Sequence, residues 1–321
     1  MHWFLKLFIN PLLDALRPRV IVEVGVELGA VTGPLLRWAQ LNDAIVHAID
    51  PDPTLNVDRL LDEHGERLRF HRRKSLELLG ELDDVELALI DGDHNWHTVI
   101  NELRALERRA GADGREPPVI LLHDVGWPYG RRDLYYDPQS IPEAHRHPHA
   151  RLGIAPGRVE LGPGLNDHLE NALLTDTPAN GVLTAVEDFV AESQHPWRQW
   201  TIPGLSGLAV LVSSDTLAAC APLRELLESI DEPAFLRAHC EAIELARIES
   251  ELKRAGMQRR LAETQLKQIM RSPDPAEAVA LKRSVRELSE QVRDLQEQLA
   301  EVDDLREQVR VLTFDLPAHG P

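Results

Sequence analysis

Two short clusters of acidic and histidine residues stand out in this sequence, because each directly follows an apolar run. The first is an Asp-Gly-Asp-His string from Asp91 to His94, and the second is His123 with Asp124. Mg²⁺ prefers carboxylate ligands, so Asp91 and Asp124 together are candidates to hold such a cation. A bound ion of this kind orients a hydroxyl and lowers its pKa. His94 is suited to take the hydroxyl proton as a general base.

These clusters need strands that deliver them to one place. From about residue 18 to 124, short apolar runs alternate with helix-like stretches, which predicts βα units around a parallel sheet. The predicted strands are residues 20–24, 44–49, 68–71, 87–90 and 119–122. In an open parallel sheet, ligands bind beyond the carboxyl ends of the strands. Both clusters are therefore expected to face one crevice.

The second half of the domain predicts a different strand pairing. A helix is expected around 182–189, followed by apolar runs at 197–202 and 208–212. Pro-Gly-Leu-Ser-Gly separates the two runs, which indicates a hairpin. The predicted fold class is α/β, with a doubly wound, mostly parallel seven-stranded sheet that ends in this hairpin.

The chain is predicted to have three parts. Residues 1–215 form the α/β domain, within which 125–180 is an insertion or lid that binds the acceptor. Residues 216–272 are a helical extension. Within 276–313, apolar residues recur at alternating steps of three and four, which favours a coiled coil that joins copies of this chain into a homo-oligomer, most simply a dimer. A lone amphipathic helix packed on its own domain is the alternative.

A glycine turn follows the first predicted strand. Gly25 and Gly29 let the backbone approach a ligand closely, and Asp50 ends the second strand, where a carboxylate accepts ribose hydroxyls. An NAD(P)-dependent oxidoreductase uses similar geometry, but it needs a Gly-x-Gly-x-x-Gly turn for its pyrophosphate. Here acidic Glu27 stands near the expected middle glycine. This charge disfavours a pyrophosphate and favours a cationic sulfonium nucleoside.

The string Glu23-x-Gly25-x-x-x-Gly29, followed by Asp50, resembles the first motif and second-strand acid of the class I S-adenosylmethionine-dependent methyltransferases. The resemblance covers roughly residues 18–213 and implies a Rossmann-like methyltransferase fold. It implies that Gly25 and Gly29 border the methionine part of the cofactor and that Asp50 holds the ribose. It also implies that Ser75 contacts the adenine. The full expected cofactor set is Glu23, Gly25, Gly29, Thr32, Asp50, Ser75 and Asp91.

The Asp-Gly-Asp-His string, paired with His123-Asp124, resembles the branch that contains metal-dependent sugar O-methyltransferases of macrolide biosynthesis. The resemblance implies that Asp91 and Asp124 bind the metal and that His94 is the base. His123 replaces the first member of an acidic pair, so it either ligates the metal or orients the acceptor. The expected reaction is methyl transfer from S-adenosyl-L-methionine to a hydroxyl of a small molecule or glycoside, assisted by Mg²⁺.

The long segment after the fifth predicted strand contains all three tyrosines of the chain. Aromatic rings stack on sugar faces, and arginines bind carboxylates or phosphates in a forked geometry. We expect this segment to shape the acceptor pocket and to close over it. The residues expected to bind the acceptor are Trp127, Tyr129, Arg131, Arg132, Tyr135 and Tyr136.

Charge and apolar patterning exclude other classes. The net charge is -18, and basic stretches are short, so a nucleic-acid partner is not expected. The apolar opening of the chain is interpreted as a helix that covers the sheet, and no membrane partner is expected. Cys220 and Cys240 lack metal-ligand spacing, which favours free thiols in a cytoplasmic protein. A non-enzymatic coiled-coil scaffold remains an alternative, although it would not need Asp91, His94 and Asp124.

Overall fold

The computed structural model describes residues 1–112, 114–269, 283–293 and 296. The chain divides into two compact units, of which the first is Met1–Glu232 and the second begins at Pro233. In the second unit, the described residues form a helix, α8, from Pro233 to Ile269 and a helical segment at 283–293. Apart from residue 296, the rest of the predicted coiled coil at 276–313 lies outside the described residues.

The described residues of the first unit form ten strands and seven α-helices. The strands are β1 Val20–Val24, β2 Ile45–Ile49, β3 Leu68–His71, β4 Leu87–Ile90, β5 Val119–His123, β6 Leu134–Tyr135, β7 His149–Arg151, β8 Glu170–Ala172, β9 Trp197–Ile202 and β10 Leu208–Ser213. The helices are α1 Asn10–Leu16, α2 Thr32–Asn42, α3 Val57–His64, α4 Trp96–Ala112, α5 Val182–Glu192, α6 Ser214–Ala219 and α7 Ala221–Glu228.

Seven strands form the main sheet in the order β3-β2-β1-β4-β5-β10-β9. The strands from β1 to β5 are parallel, whereas β10 runs antiparallel to both β5 and β9. The predicted mostly parallel seven-stranded α/β sheet and its terminal hairpin are therefore confirmed. The strand order reverses direction at β1 and β4, and ligands bind at such a switch point in open α/β sheets.

The central strands are continuous apolar runs because helices and neighbouring strands bury them. Residues 119–122 of β5 are at most 1% exposed, and β4 is buried throughout. On one side, Leu103 of α4 and Phe189 of α5 join the same hydrophobic cluster as these strands. Burial of this kind explains why the strands show no alternating pattern.

The apolar opening of the chain packs onto the fold, as predicted. A π-helical turn, Leu5–Ile9, leads into α1, and the side chains of Phe4 and Phe8 are fully buried. The Phe4 ring lies edge-on to His123 at the end of β5, with ring centroids 6.0 Å apart. Among the helices in the described ranges, none combines the length and apolarity that crossing a bilayer requires.

The segment between β5 and α5 has a small sheet of its own, in the order β6-β8-β7. Asp133 holds this insertion to the main domain. Its Oδ1 accepts hydrogen bonds from the backbone N–H of Trp96, at the start of α4, and of Gly181, before α5. Its Oδ2 accepts the hydroxyl of Tyr135 at 2.8 Å. The buried Asp133 carboxylate thus fixes β6 close to the loop that follows β4.

Candidate active site

The turn after β1 requires a glycine at Gly25. Gly25 has φ +86°, and a Cβ there would lie 2.2 Å from the backbone oxygen of Asp91 at the end of β4. Its N–H donates to the carbonyl oxygen of Ile49 at the end of β2. The carboxyl ends of three neighbouring strands therefore converge at this glycine.

The substitution Gly25→Ala tests this convergence. We expect it to destabilise the fold by about 2–5 kcal/mol, because the new methyl group meets backbone and the left-handed conformation is strained. Urea unfolding measures the change. Gly80→Ala is the matched control, because a Cβ at Gly80 meets nothing within 4 Å. Equal unfolding midpoints for the two variants would contradict the close approach.

Asp50 organises the same turn through its carboxylate. Oδ2 accepts the backbone N–H groups of Val26 and Glu27 at 3.0 and 2.9 Å. Oδ1 accepts the N–H of Asp52 at 2.9 Å. A carboxylate oxygen accepts about two hydrogen bonds, so Oδ1 keeps one acceptor position for a ligand hydroxyl.

A cavity of about 530 Å³ lies over this turn. Four of the residues expected to bind the cofactor line it, namely Gly25, Asp50, Ser75 and Asp91. Glu23 and Thr32 are buried behind the turn, at 3% and 0% exposure, and they do not line the cavity. Gly29 does not line it either. Gly29 instead closes the turn, where its N–H donates to the carbonyl oxygen of Val26 at 2.8 Å.

Burial dominates the electrostatics of Glu23. Desolvation raises the pKa of its carboxyl from an ordinary 4.5 to about 8, and repulsion by Asp91 and Asp50 adds to this effect. Its Oε2 has no hydrogen-bond partner. The neutral form of Glu23 is therefore favoured at neutral pH, so this residue adds little negative charge to the cavity.

A cluster of two carboxylates and one imidazole bridges the ends of β4 and β5. His123 Nδ1 lies 3.0 Å from Asp91 Oδ1 and 2.9 Å from Asp124 Oδ2. On the other side of the ring, Nε2 donates to the carbonyl oxygen of Leu205 at 2.9 Å. Burial disfavours the charged ring, but the bonds to Asp124 and Asp91 raise the pKa of His123 to about 9.

The carboxylates of this cluster are held in their ionised form. Burial alone would raise the pKa of Asp124, but His94 and His123 hold it well below its usual range. The pKa of Asp91 is likewise lowered, against burial, by its bond to His123. The amino group of Met1 lies 2.9 Å from Asp91 Oδ2. The two carboxylates are therefore ionised and pair with the His123 ring and the Met1 amino group.

His94 stands between this cluster and the insertion. Its Nδ1 is 3.3 Å from Asp124 Oδ2. Its ring stacks on Tyr129, with centroids 5.6 Å apart and an interplanar angle of 4°. The ring of Tyr136 lies 5.8 Å away at a tilt of 57°. The imidazole is thus held between a carboxylate and two aromatic rings.

A second cavity, of about 560 Å³, opens on the other side of His94. Trp127, Tyr129 and Tyr136 line it, together with Asp124 and the hairpin turn at 204–207. His94 and Tyr136 line both cavities. The structure therefore places a nucleoside-sized cavity and an aromatic cavity on either side of one histidine.

Three residues expected to bind the acceptor lie elsewhere. Arg131 pairs with Glu187 on α5. Arg132 is buried and donates to carbonyl oxygens within the insertion. Tyr135 is buried and donates to Asp133. None of the three lines either cavity.

The sequence predicted the hairpin but not the contribution of its turn to the site. Four consecutive residues, Gly204 to Gly207, have positive φ. This conformation turns the carbonyl oxygens of Leu205 and Ser206 toward the end of β5, where they accept bonds from His123 and Gly126. Gly204 and Gly207 were the sequence signal that could have indicated this unusual turn.

The comparisons with known proteins bear on this arrangement. The model of a methyltransferase domain family matches residues 22–125, which include the glycine turn and both acidic clusters. Over these residues the chain is similar to methyltransferase domains. No curated protein matches the sequence significantly.

Among solved structures, a Podospora anserina methyltransferase with bound S-adenosylhomocysteine is 16% identical, with a TM-score of 0.40, over 64% of this chain and 77% of that one. The Burkholderia thailandensis 1,6-didemethyltoxoflavin-N1-methyltransferase is 18% identical, with a TM-score of 0.34, over 64% and 75%. A methyltransferase from Streptomyces caelestis is 10% identical, with a TM-score of 0.33, over 64% and 87%.

Proposed function

We propose that this methyltransferase domain transfers a methyl group from S-adenosylmethionine to a hydroxyl of a small-molecule or glycoside acceptor. Asp91, His123 and Asp124 would hold a divalent cation such as Mg²⁺, and His94 is the base. The observation that carries the proposal is that one histidine and one tyrosine, His94 and Tyr136, line two adjoining cavities. A methyl donor on one side and an acceptor on the other would meet at this histidine.

The first cavity fits the proposed cofactor. Gly25 leaves no side chain over the turn, and Asp50 keeps an acceptor position for a ribose hydroxyl. Further carboxylates line the cavity at Glu27, Asp52 and Asp91. This negative field suits a sulfonium and an ammonium group, whereas it opposes the pyrophosphate of NAD.

The acidic cluster offers two carboxylates and one imidazole to the proposed cation, which would displace the proton that His123 carries at neutral pH. Ligand atoms of Asp91, His123 and Asp124 lie within 4.8 Å of one another. Because Nε2 of His123 is held by the carbonyl oxygen of Leu205, Nδ1 is the nitrogen that faces the two carboxylates. A metal-binding histidine commonly donates its other N–H to a carbonyl in this way. When bound, the ion would lower the pKa of an acceptor hydroxyl.

The roles of the surrounding residues follow from their contacts. Asp124 faces Nδ1 of His94, which favours a proton there and leaves Nε2 to accept the hydroxyl proton. Asp124 then stabilises the imidazolium that forms. The stacked ring of Tyr129 restricts the orientation of His94. S-adenosylmethionine supplies the methyl group, and the fixed geometry lowers the entropic part of the barrier.

The composition of the second cavity limits its acceptors. Neither Arg131 nor Arg132 lines it, so neither recognises a carboxylate or phosphate on the acceptor. Trp127, Tyr129 and Tyr136 instead offer ring faces. Such faces stack on sugars and other ring systems. A glycosylated or polyhydroxylated acceptor without anionic groups is therefore the proposed class.

Isothermal calorimetry with S-adenosylhomocysteine and NAD⁺ tests the cofactor class. We expect S-adenosylhomocysteine to bind with a micromolar Kd of roughly 1–100 µM and NAD⁺ to show no heat of binding. Mass spectrometry of the purified protein is a second readout, because retained S-adenosylhomocysteine would be released on denaturation. Binding of NAD⁺ without binding of S-adenosylhomocysteine would overturn the proposal.

A further inference from the structure

A second buried carboxyl group lies behind the cofactor cavity, and the mechanism above does not use it. Glu102, on the inner face of α4, is 0% exposed. Its Oε1 lies 2.5 Å from the hydroxyl oxygen of Ser75, in the turn after β3. Its Oε2 is inaccessible and has no hydrogen-bond partner. Ser75 lines the cofactor cavity, whereas Glu102 does not.

This environment favours the neutral acid. An ionised carboxylate with one oxygen buried and unpartnered is costly, whereas a neutral carboxyl leaves only a weak acceptor unsatisfied. Desolvation raises the pKa of Glu102 to about 8, opposed by the bond to Ser75 and supported by repulsion from Asp93 in the loop after β4. At neutral pH the short contact is therefore that of a carboxylic acid with a hydroxyl.

We propose that Glu102 donates its proton to Ser75 Oγ and so directs the hydroxyl hydrogen of Ser75 into the cofactor cavity, as a donor to a ring nitrogen of the adenine. A serine hydroxyl has one donor and two acceptor positions. Once Oγ accepts from Glu102, its own hydrogen is free to point at the ligand. Glu102 is then a positioning residue that makes the site complementary to an unprotonated ring nitrogen. This inference rests on the proposed cofactor.

The opposite arrangement makes a different prediction for the ligand. If Ser75 donated to Glu102, the serine oxygen could only accept from the ligand, and its partner would be the exocyclic amino group of the adenine. Analogues of S-adenosylhomocysteine that lack one ring nitrogen, with carbon at ring position 1, 3 or 7, distinguish the two arrangements. They remove an acceptor and leave the amino group in place.

The test is calorimetry at pH 6.5 and pH 9.5 with S-adenosylhomocysteine and the three deaza analogues. The quantity compared at each pH is the ratio of the Kd of an analogue to the Kd of S-adenosylhomocysteine. Both ligands carry the same homocysteine group, so the effect of its ionisation cancels in this ratio. At pH 6.5 the wild-type protein should bind S-adenosylhomocysteine about fivefold to tenfold more tightly than one analogue, as expected for one hydrogen bond. Ser75→Ala should abolish this preference.

The pH series separates positioning from packing. At pH 9.5 an ionised Glu102 takes the Ser75 hydrogen for itself, so the wild-type preference should disappear. Glu102→Gln should keep the preference at both pH values, because its amide N–H donates to Ser75 and does not titrate. Glu107→Gln is the matched control, since Glu107 lies on the same helix and accepts from Ser193 and Trp197. It should behave as the wild type does.

Each result decides the inference. The inference is overturned if Ser75→Ala still prefers S-adenosylhomocysteine over the deaza analogue. It is also overturned if Glu102→Gln loses this preference at pH 9.5, as the wild type is expected to do. Equal binding of all four ligands by the wild type at pH 6.5 would overturn it as well. If the wild-type protein does not bind S-adenosylhomocysteine, the proposed function itself is wrong. Calorimetry with the wild type is sufficient to recognise this outcome, without any variant.

Discussion

Replacing His94 by alanine should lower kcat for methyl transfer by about 100-fold to 10,000-fold, the range expected when a general base is lost. In the part of the chain that the structure describes, His94 is the one imidazole that lines both cavities, with Asp124 on its Nδ1 side and Tyr129 against its ring. Among the described residues of the acceptor cavity, Asp124 is the other group placed to take the proton. The low pKa of Asp124 makes it a weak base.

The measurement is transfer of labelled methyl from S-adenosylmethionine to an acceptor that the wild type methylates, found in a panel of neutral glycosides and phenols. Affinity for S-adenosylhomocysteine, measured in parallel, should change by less than about fivefold, so that the loss lies in kcat. His97→Ala is the control, because His97 lies three residues further along the chain, in α4, but lines neither cavity. Full turnover in His94→Ala would remove this residue from the mechanism.

Asp124→Asn should weaken binding of a divalent cation by about 100-fold or more and should lower kcat at least as much, since an amide cannot supply the negative charge that a hard cation requires. The backbone at Asp124 has φ 61°, a conformation that asparagine adopts readily. The substitution therefore removes the charge with little strain. The folded structure should persist, which thermal unfolding will verify.

Mn²⁺ is the probe, because its electron paramagnetic resonance signal counts free and bound ions without any acceptor. The wild type should bind one Mn²⁺ that Mg²⁺ displaces. Asp176→Asn is the control, because Asp176 is also an aspartate in the left-handed region, with φ 57°, but lies exposed in the insertion. If Asp124→Asn binds Mn²⁺ as tightly as this control does, the cluster is not the metal site.

The local pattern of residues was sufficient to predict the main sheet. Strands buried on both faces need continuous apolar runs, and this requirement is visible at 87–90 and 119–122 without any tertiary information. The parallel connections then placed Asp91 and Asp124 at one edge of the sheet. Pairing of β4 with β5 in parallel confirms that placement.

The partners of charged and aromatic side chains in the long insertion were not predictable in this way. Arg131 and Arg132 have the residue type of an anion site, yet the folded insertion turns them to Glu187 and to backbone carbonyls. Tyr135 is directed to Asp133 and Tyr136 to the cavities, although they are neighbours. The partners of Arg131 and Arg132 lie 27 to 56 residues away in the chain, and no periodicity encodes such contacts.

The sequence alone therefore determined which strands of the main sheet form, in what direction they run and which acidic groups meet at their ends, because burial and chain connectivity act locally. Only the tertiary structure showed that Leu205 orients His123 and that Glu102 contacts Ser75. Both contacts join segments far apart in the chain. Their geometry depends on how the hairpin and α4 pack against the sheet, and that packing is a property of the whole fold.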